Sequence, residues 1–142
     1  MINIIIIIIF FILNGCSTFK KEIVECPKLI APKEAAEIVV NSENNLPIYV
    51  GFRGVNAVCL RDSNNIKMEI SANIRAIRKD TKDDDYVPVN IAVVSVDSNY
   101  KEYDRDDFSY SQFLLKNSKI IDRTTKFKLI VPKGGKVLLG IK

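Results

Sequence analysis

Nucleophilic catalysis by a hydroxyl or a thiol needs a base beside it, and this chain contains no histidine. Ser-His-Asp and Cys-His arrangements, and zinc held through imidazole, are therefore excluded. The densest carboxylates form two clusters, Asp83-Asp84-Asp85 and Asp104 with Asp106 and Asp107. A hard cation needs several oxygens converging on one point. Neither cluster has the spacing of a calcium loop, and adjacent carboxylates on a hairpin diverge into solvent, so no metal is expected. No spacing suggests paired carboxylates meeting across a pocket for glycoside hydrolysis. Lys133-Gly134-Gly135-Lys136 lacks the full phosphate-loop pattern and precedes a strand rather than a helix, so it reads as a hairpin turn. The expectation is a non-enzyme that needs no cofactor. One run could instead bind a ligand. Tyr100, Tyr103, Phe108, Tyr110 and Phe113 could stack on a glycan, with Tyr100, Tyr103 and Tyr110 as the candidate contacts, although such residues also serve as sheet surface and core.

Cysteine is the other source of chemistry, at Cys16, Cys26 and Cys59. Ahead of the first lies an uninterrupted apolar run, Ile4 to Leu13, leading into Leu13-Asn14-Gly15-Cys16. A secretory signal needs a short apolar core followed by small residues that fit a peptidase. A membrane-spanning helix needs about 20 apolar residues, more than this run offers. The segment resembles the signal peptide and lipobox of a bacterial lipoprotein. The resemblance implies removal of residues 1–15, acylation of Cys16 as the first mature residue, and covalent attachment to a membrane facing the periplasm. Ser17 rather than Asp after the cysteine points, by enterobacterial sorting habit, to the outer membrane. Residues 16–25 then form a tether and residues 26–142 a single domain.

With Cys16 assigned to lipid, Cys26 and Cys59 remain as an even pair in an oxidising compartment. Cys59 shares the parity of Val55 and Ala57, so it is expected to point inward. A Cys26–Cys59 disulfide would staple the end of the tether to the sheet. Two buried free thiols are the alternative, and a reactive thiol has no histidine to activate it.

The elements that must position these residues are strands. Ile66, Met68, Ile70, Ala72, Ile74 and Ala76 alternate with Lys67, Glu69, Ser71, Asn73 and Arg75, one face for a core and one for water. Before them, Ile48, Val50 and Phe52 hold one parity and Val55, Ala57 and Cys59 the other. The flip around Arg53-Gly54 suits a β-bulge. Asp62-Ser63-Asn64-Asn65 is apt for the hairpin turn between the two. Further strands are expected over Val87 to Val96, Tyr100 to Phe113, Lys126 to Val131 and Val137 to Ile141. Helix is scarce, with two turns at most starting from Pro32-Lys33-Glu34. The fold expected is all-β, an antiparallel β-sandwich of about six strands.

The net charge of +4 hides a segregation. Asp80 to Asp107 carries nine acids against three bases, and Lys116 to Lys142 eight bases against one acid. Such poles could orient the domain over anionic lipid, or be solvated strand faces, as the alternation of Lys126 and Lys128 with Phe127 and Leu129 suggests. The mature chain is also similar to small uncharacterised alphaproteobacterial lipoproteins, through Cys26-Pro27-Lys28, Pro32-Lys33-Glu34-Ala35-Ala36, Gly54-Val55 leading to Cys59, and Val87-Pro88-Val89 followed by Ala92-Val93-Val94. That similarity implies one disulfide-bearing β domain with no catalytic motif. The expected role is an interaction or structural module of the cell envelope with an envelope protein, not nucleic acid, as partner; the alternative is a tethered glycan binder.

Overall fold

The computed structural model describes residues 21–142 of the chain. In chain order it contains β1 (Ile23–Val24), β2 (Leu29–Ile30), one helical turn α1 (Lys33–Ala36), β3 (Glu37–Asn41), β4 (Pro47–Asp62), β5 (Asn65–Arg78), β6 (Asp85–Val96), β7 (Glu102–Leu114), β8 (Ile120–Val131) and β9 (Lys136–Ile141). They form two sheets. In the first, β4, β5 and β8 lie side by side, and β1 and β3 pair with opposite ends of the free edge of β4. The second runs β2-β9-β6-β7. Every pairing is antiparallel except β2 with β9. The expected β-sandwich is the observed fold. Its six expected strands are β4 to β9, and the short strands β1, β2 and β3 join them.

Two-residue periodicity builds the core. Met68, Ile70, Ala72, Ile74 and Ala76 of β5 are buried, and register sets them beside Phe127, Leu129 and Val131 of β8 and Ile48, Val50 and Cys59 of β4. Val87, Val89, Ile91 and Val93 of β6, with Leu114, Val137, Leu139 and Ile141, supply the opposite layer. The phase flip at Arg53-Gly54 is a register shift between Phe52 and Gly54, as an inserted residue requires. Lys126 and Lys128 lie exposed on β8 while their neighbours are buried.

The short helix falls within the expected two turns, and two other local expectations are corrected. The helix stops after one turn, because Glu37 is already extended and Glu37–Asn41 gains a ladder with Pro47–Gly51; an isolated short helix has little to set against that. Tyr100 is not in a strand. It sits in the Asp97–Lys101 turn at φ 61°, where the Asp97 carboxylate accepts the amides of Asn99 and Lys101. The Lys133-Gly134-Gly135 turn is not a hairpin, since β8 and β9 belong to different sheets. Gly134 takes φ 73°, and a Cβ on Gly135 would stand 2.6 Å from the Val96 carbonyl oxygen, so glycines fit where the chain crosses over.

The acids at Asp104 and Asp106 close the sandwich along one side. Asp104 Oδ2 accepts the Ile130 amide at 2.7 Å, and Asp106 Oδ2 accepts the Lys128 amide at 2.9 Å. Carboxylates spaced by two on edge strand β7 thus pair alternate edge amides of β8 in the other sheet. Replacing Asp104 with Ala strands the part-buried Ile130 amide and should cost about 1–3 kcal/mol in a urea melt. Asp104→Ala/Asp106→Ala should in addition free the β8 edge for pairing between molecules, visible as concentration-dependent light scattering. A double variant as stable and monodisperse as the parent would show these bonds to be incidental.

Candidate functional site

The outer face of the first sheet carries an apolar row that no described residue covers. Register aligns Val39 of β3, Tyr49 of β4, Ile77 of β5 and Ile120 of β8 across four neighbouring strands. Val39, Tyr49 and Ile120 are 56%, 48% and 52% exposed, and Ile77 between them is half-buried. Each stands at the outward parity of a strand whose inward residues are in or against the core. The sheet therefore fixes their side chains on one side without using them for its own packing.

One register step away lies the row Glu37, Gly51, Arg75 and Asp122. Arg75 makes a two-pronged bond to Asp122, Nε to Oδ1 at 2.7 Å and Nη2 to Oδ2 at 2.8 Å. That hydrogen bond raises the arginine and holds the Asp122 carboxyl below its usual range, with a smaller contribution from the Arg53 charge. Gly51 leaves a gap between Glu37 and Arg75, and a Cβ there would approach Glu37 Cγ to 3.0 Å. The result is an open notch of about 420 Å³ floored by Val50 and Gly51 and walled by Tyr49, Ile77, Arg75 and Arg53. Arg53 is exposed and makes no salt bridge among the described residues. Chemically the face offers apolar contact area, an aromatic ring and a free guanidinium for an acceptor group.

The inward side of the same end of the sheet is built differently. At the end formed by residues 42–46, 79–84 and 115–119, Arg78 is buried and donates to three main-chain carbonyls. Asp85, also buried, accepts the amides of Asn44 and Tyr86 through Oδ1, while Oδ2 keeps no partner of good hydrogen-bond geometry. Burial alone would raise the Asp85 carboxyl. The Ser42 hydroxyl, the two amides and the Arg78 charge outweigh it and hold the group below its ordinary value. A carboxyl depressed on folding stabilises the protein above the unfolded value, about 3.9 for aspartate, and that contribution disappears as pH falls through the lower folded value. Asp85→Asn should therefore be less stable than the parent at neutral pH and show a shallower loss of stability below about pH 4, in thermal melts recorded across an acid series.

The three tyrosines expected to bind a ligand are not all brought to one surface, since Tyr110 faces away from Tyr103. Tyr103 and Tyr110 occupy opposite parities of β7 and so face opposite sides of their sheet. Tyr110 is half-buried, packed at 5.6 Å against Phe108, with the Arg123 guanidinium 4.1 Å from its ring centre. Tyr103 is exposed, its hydroxyl accepting from Asn65 at 3.1 Å. Tyr100 lies at the turn, beside Lys136. Cys26 and Cys59 form the disulfide, with Cα atoms 5.2 Å apart, and Cys59 is buried as its parity required. Cys16, the expected lipidation site, lies outside the described residues. Among the described residues no group of three cysteine or acidic side chains is arranged to hold a metal ion.

Sequence reasoning passed over the apolar row because its members are single apolar residues at outward parity. Tyr49 and Ile77 each sit one residue off the inward set of their strand, and that offset was the available signal. No protein-family model, curated protein or solved structure matches the chain.

Proposed function

We propose that this protein is a lipid-anchored, non-catalytic interaction module of the bacterial cell envelope, holding a partner protein on the outer face of its first sheet. The observation that carries the reading is the row Val39, Tyr49, Ile77 and Ile120, apolar across four strands and left uncovered by the described residues. Isolated exposed apolar residues are ordinary on any surface; a row fixed by sheet register beside a notch and a free arginine is the anatomy of a contact patch. The lipobox-like Leu13-Asn14-Gly15-Cys16 and the Cys26–Cys59 bridge support placement outside the cytoplasm.

The test uses a photo-crosslinking amino acid introduced in cells. Placed at Val39 or Tyr49 it should yield one dominant protein adduct, and placed at Ser109, outward on the other sheet, it should yield none. Val39→Asp/Ile120→Asp should abolish the adduct while leaving the melting temperature within about 2 °C, since exposed substitutions cost at most a few tenths of a kcal/mol. A ladder of weak products that ignores both the position and the double substitution would defeat the reading.

A further inference from the structure

We propose that the end of the sandwich where the described chain enters β1 rests on an anionic bilayer surface, with Lys28, Lys101, Lys133 and Lys136 against lipid phosphates and Tyr100 and Tyr103 at headgroup depth. The inference rests on the lipid-anchored reading above and adds to it an orientation and a lipid class.

Register and hydrogen bonds place four segments at this end. The Glu22 carbonyl accepts the Arg61 amide, so the chain arrives beside the β4–β5 turn at Asp62–Asn65. Asn65 bonds the Tyr103 hydroxyl at 3.1 Å, which brings in the start of β7. Lys136 pairs with Val96, and its Nζ meets the Tyr100 hydroxyl at 2.8 Å, joining the β8–β9 and β6–β7 turns. The Val137 amide bonds the Lys28 carbonyl, adding the segment ahead of β2.

The chemistry gathered there fits an anionic lipid surface. Lys28, Lys101, Lys133 and Lys136 make no salt bridge among the described residues. Of the neighbouring acids, Glu22 pairs with Arg61 and Glu102 with Arg105, which leaves Asp62 and the turn carboxylate Asp97 against the four lysines. Tyr100 and Tyr103 are 63% and 51% exposed, and Tyr100 holds its ring out from a left-handed turn residue. Tyrosine with lysine is the pairing favoured at membrane interfaces, an apolar ring beside a long stem with a charged tip. At the other end, around residues 42–46, 79–84 and 115–119, Glu43, Asp80, Asp83 and Asp84 stand among Lys79, Lys82, Lys116 and Lys119, so that end carries no comparable excess of positive charge. Residues 16–22 reach at most about 25 Å when fully extended, which keeps this end near any lipid on Cys16.

The test reconstitutes the full chain into vesicles of phosphatidylcholine, or of phosphatidylcholine mixed with phosphatidylglycerol, and measures amine-labelling rates residue by residue. In the anionic vesicles Lys28, Lys101, Lys133 and Lys136 should label about fivefold more slowly than in neutral ones, the protection expected for a lysine near an anionic surface. Lys79, Lys82, Lys116 and Lys119 at the far end should label equally in both. Lys133→Glu/Lys136→Glu, changed in an exposed turn and at the first residue of a strand, should erase the difference at Lys28 and Lys101 with the melting temperature retained. Protein that floats with both vesicles but shows no lysine-specific protection overturns the orientation and leaves the anchor standing. An unacylated chain that floats only with anionic vesicles, with the protection pattern intact, supports the orientation and removes the anchor. A chain that floats with neither overturns both.

Discussion

Arg78→Met is expected to lower the unfolding free energy by about 4 kcal/mol, a large share of the roughly 5–15 kcal/mol available to a domain of this size. Arg78 is 2% exposed, and its guanidinium donates to the carbonyls of Ser118 at 2.9 Å, Asp83 at 2.9 Å and Leu115 at 2.6 Å. Those oxygens belong to two of the connections that cross between the sheets, β5 to β6 and β7 to β8, so one side chain at the end of β5 ties both to the core. Bonds from a charged donor contribute about 1.5–3 kcal/mol each, less when they share a donor. Methionine refills the volume of the stem but leaves three carbonyls to find water. Arg78→Lys should recover only part of the loss, because a single ammonium cannot reach three oxygens set out for a planar fork. The Arg78 charge also favours ionised Asp85. Its removal should therefore move the acid loss of stability to higher pH. Urea melts of both variants decide it: a Met variant within about 1 kcal/mol of the parent would mean that the loops rehydrate at little cost and that Arg78 is not their tie.

How far such features are legible in the sequence depends on whether their cause is local. The β5 alternation from Ile66 to Ala76, the flip at Arg53-Gly54 and the turn at Asp62–Asn65 are each set by neighbours along the chain, and each is found in place. Strands β1, β2 and β3 have two to five residues and no periodicity of their own; they exist because β4 and β9 offer edges. Ile23 and Val24, read as tether, already belong to the sheet for that reason. The acid clusters were legible as charge but not as structure. Asp104 and Asp106 alternate on β7 and meet the edge of β8 only after both sheets have formed. The β8–β9 turn has the composition of a hairpin, and nothing nearby in the sequence announces that its strands belong to different sheets. The row Val39, Tyr49, Ile77 and Ile120 is the furthest from sequence, since its four members come from four strands and only register brings them together.

Removing the Cys26–Cys59 bridge is the other change expected to be large. The cysteines are separated by 33 residues, and both sit where the chain first joins the sheet: Val24 pairs with Cys59 itself. Closing a loop of that length restricts the unfolded chain by roughly 3.5–4 kcal/mol in the chain-entropy account. Cys26→Ala/Cys59→Ala should lose about that much, plus a smaller penalty for atoms removed at the buried Cys59. The local consequence is separate from the global one. Without the bridge, β1 is held by a two-residue ladder, the Arg61 amide to the Glu22 carbonyl, and an exposed Arg61–Glu22 ion pair of the kind that contributes under about 1 kcal/mol. Its amides should then exchange with solvent faster than those of β5 even under conditions where the domain stays folded. The two readouts separate two roles for the disulfide. A large drop in the urea midpoint together with fast exchange at Ile23 and Val24 assigns it to both fold and attachment. Fast exchange with the midpoint unchanged would confine it to fastening β1, which is also the segment through which any pull from Cys16 must reach the sheet. An unchanged midpoint with slow exchange would refute both roles.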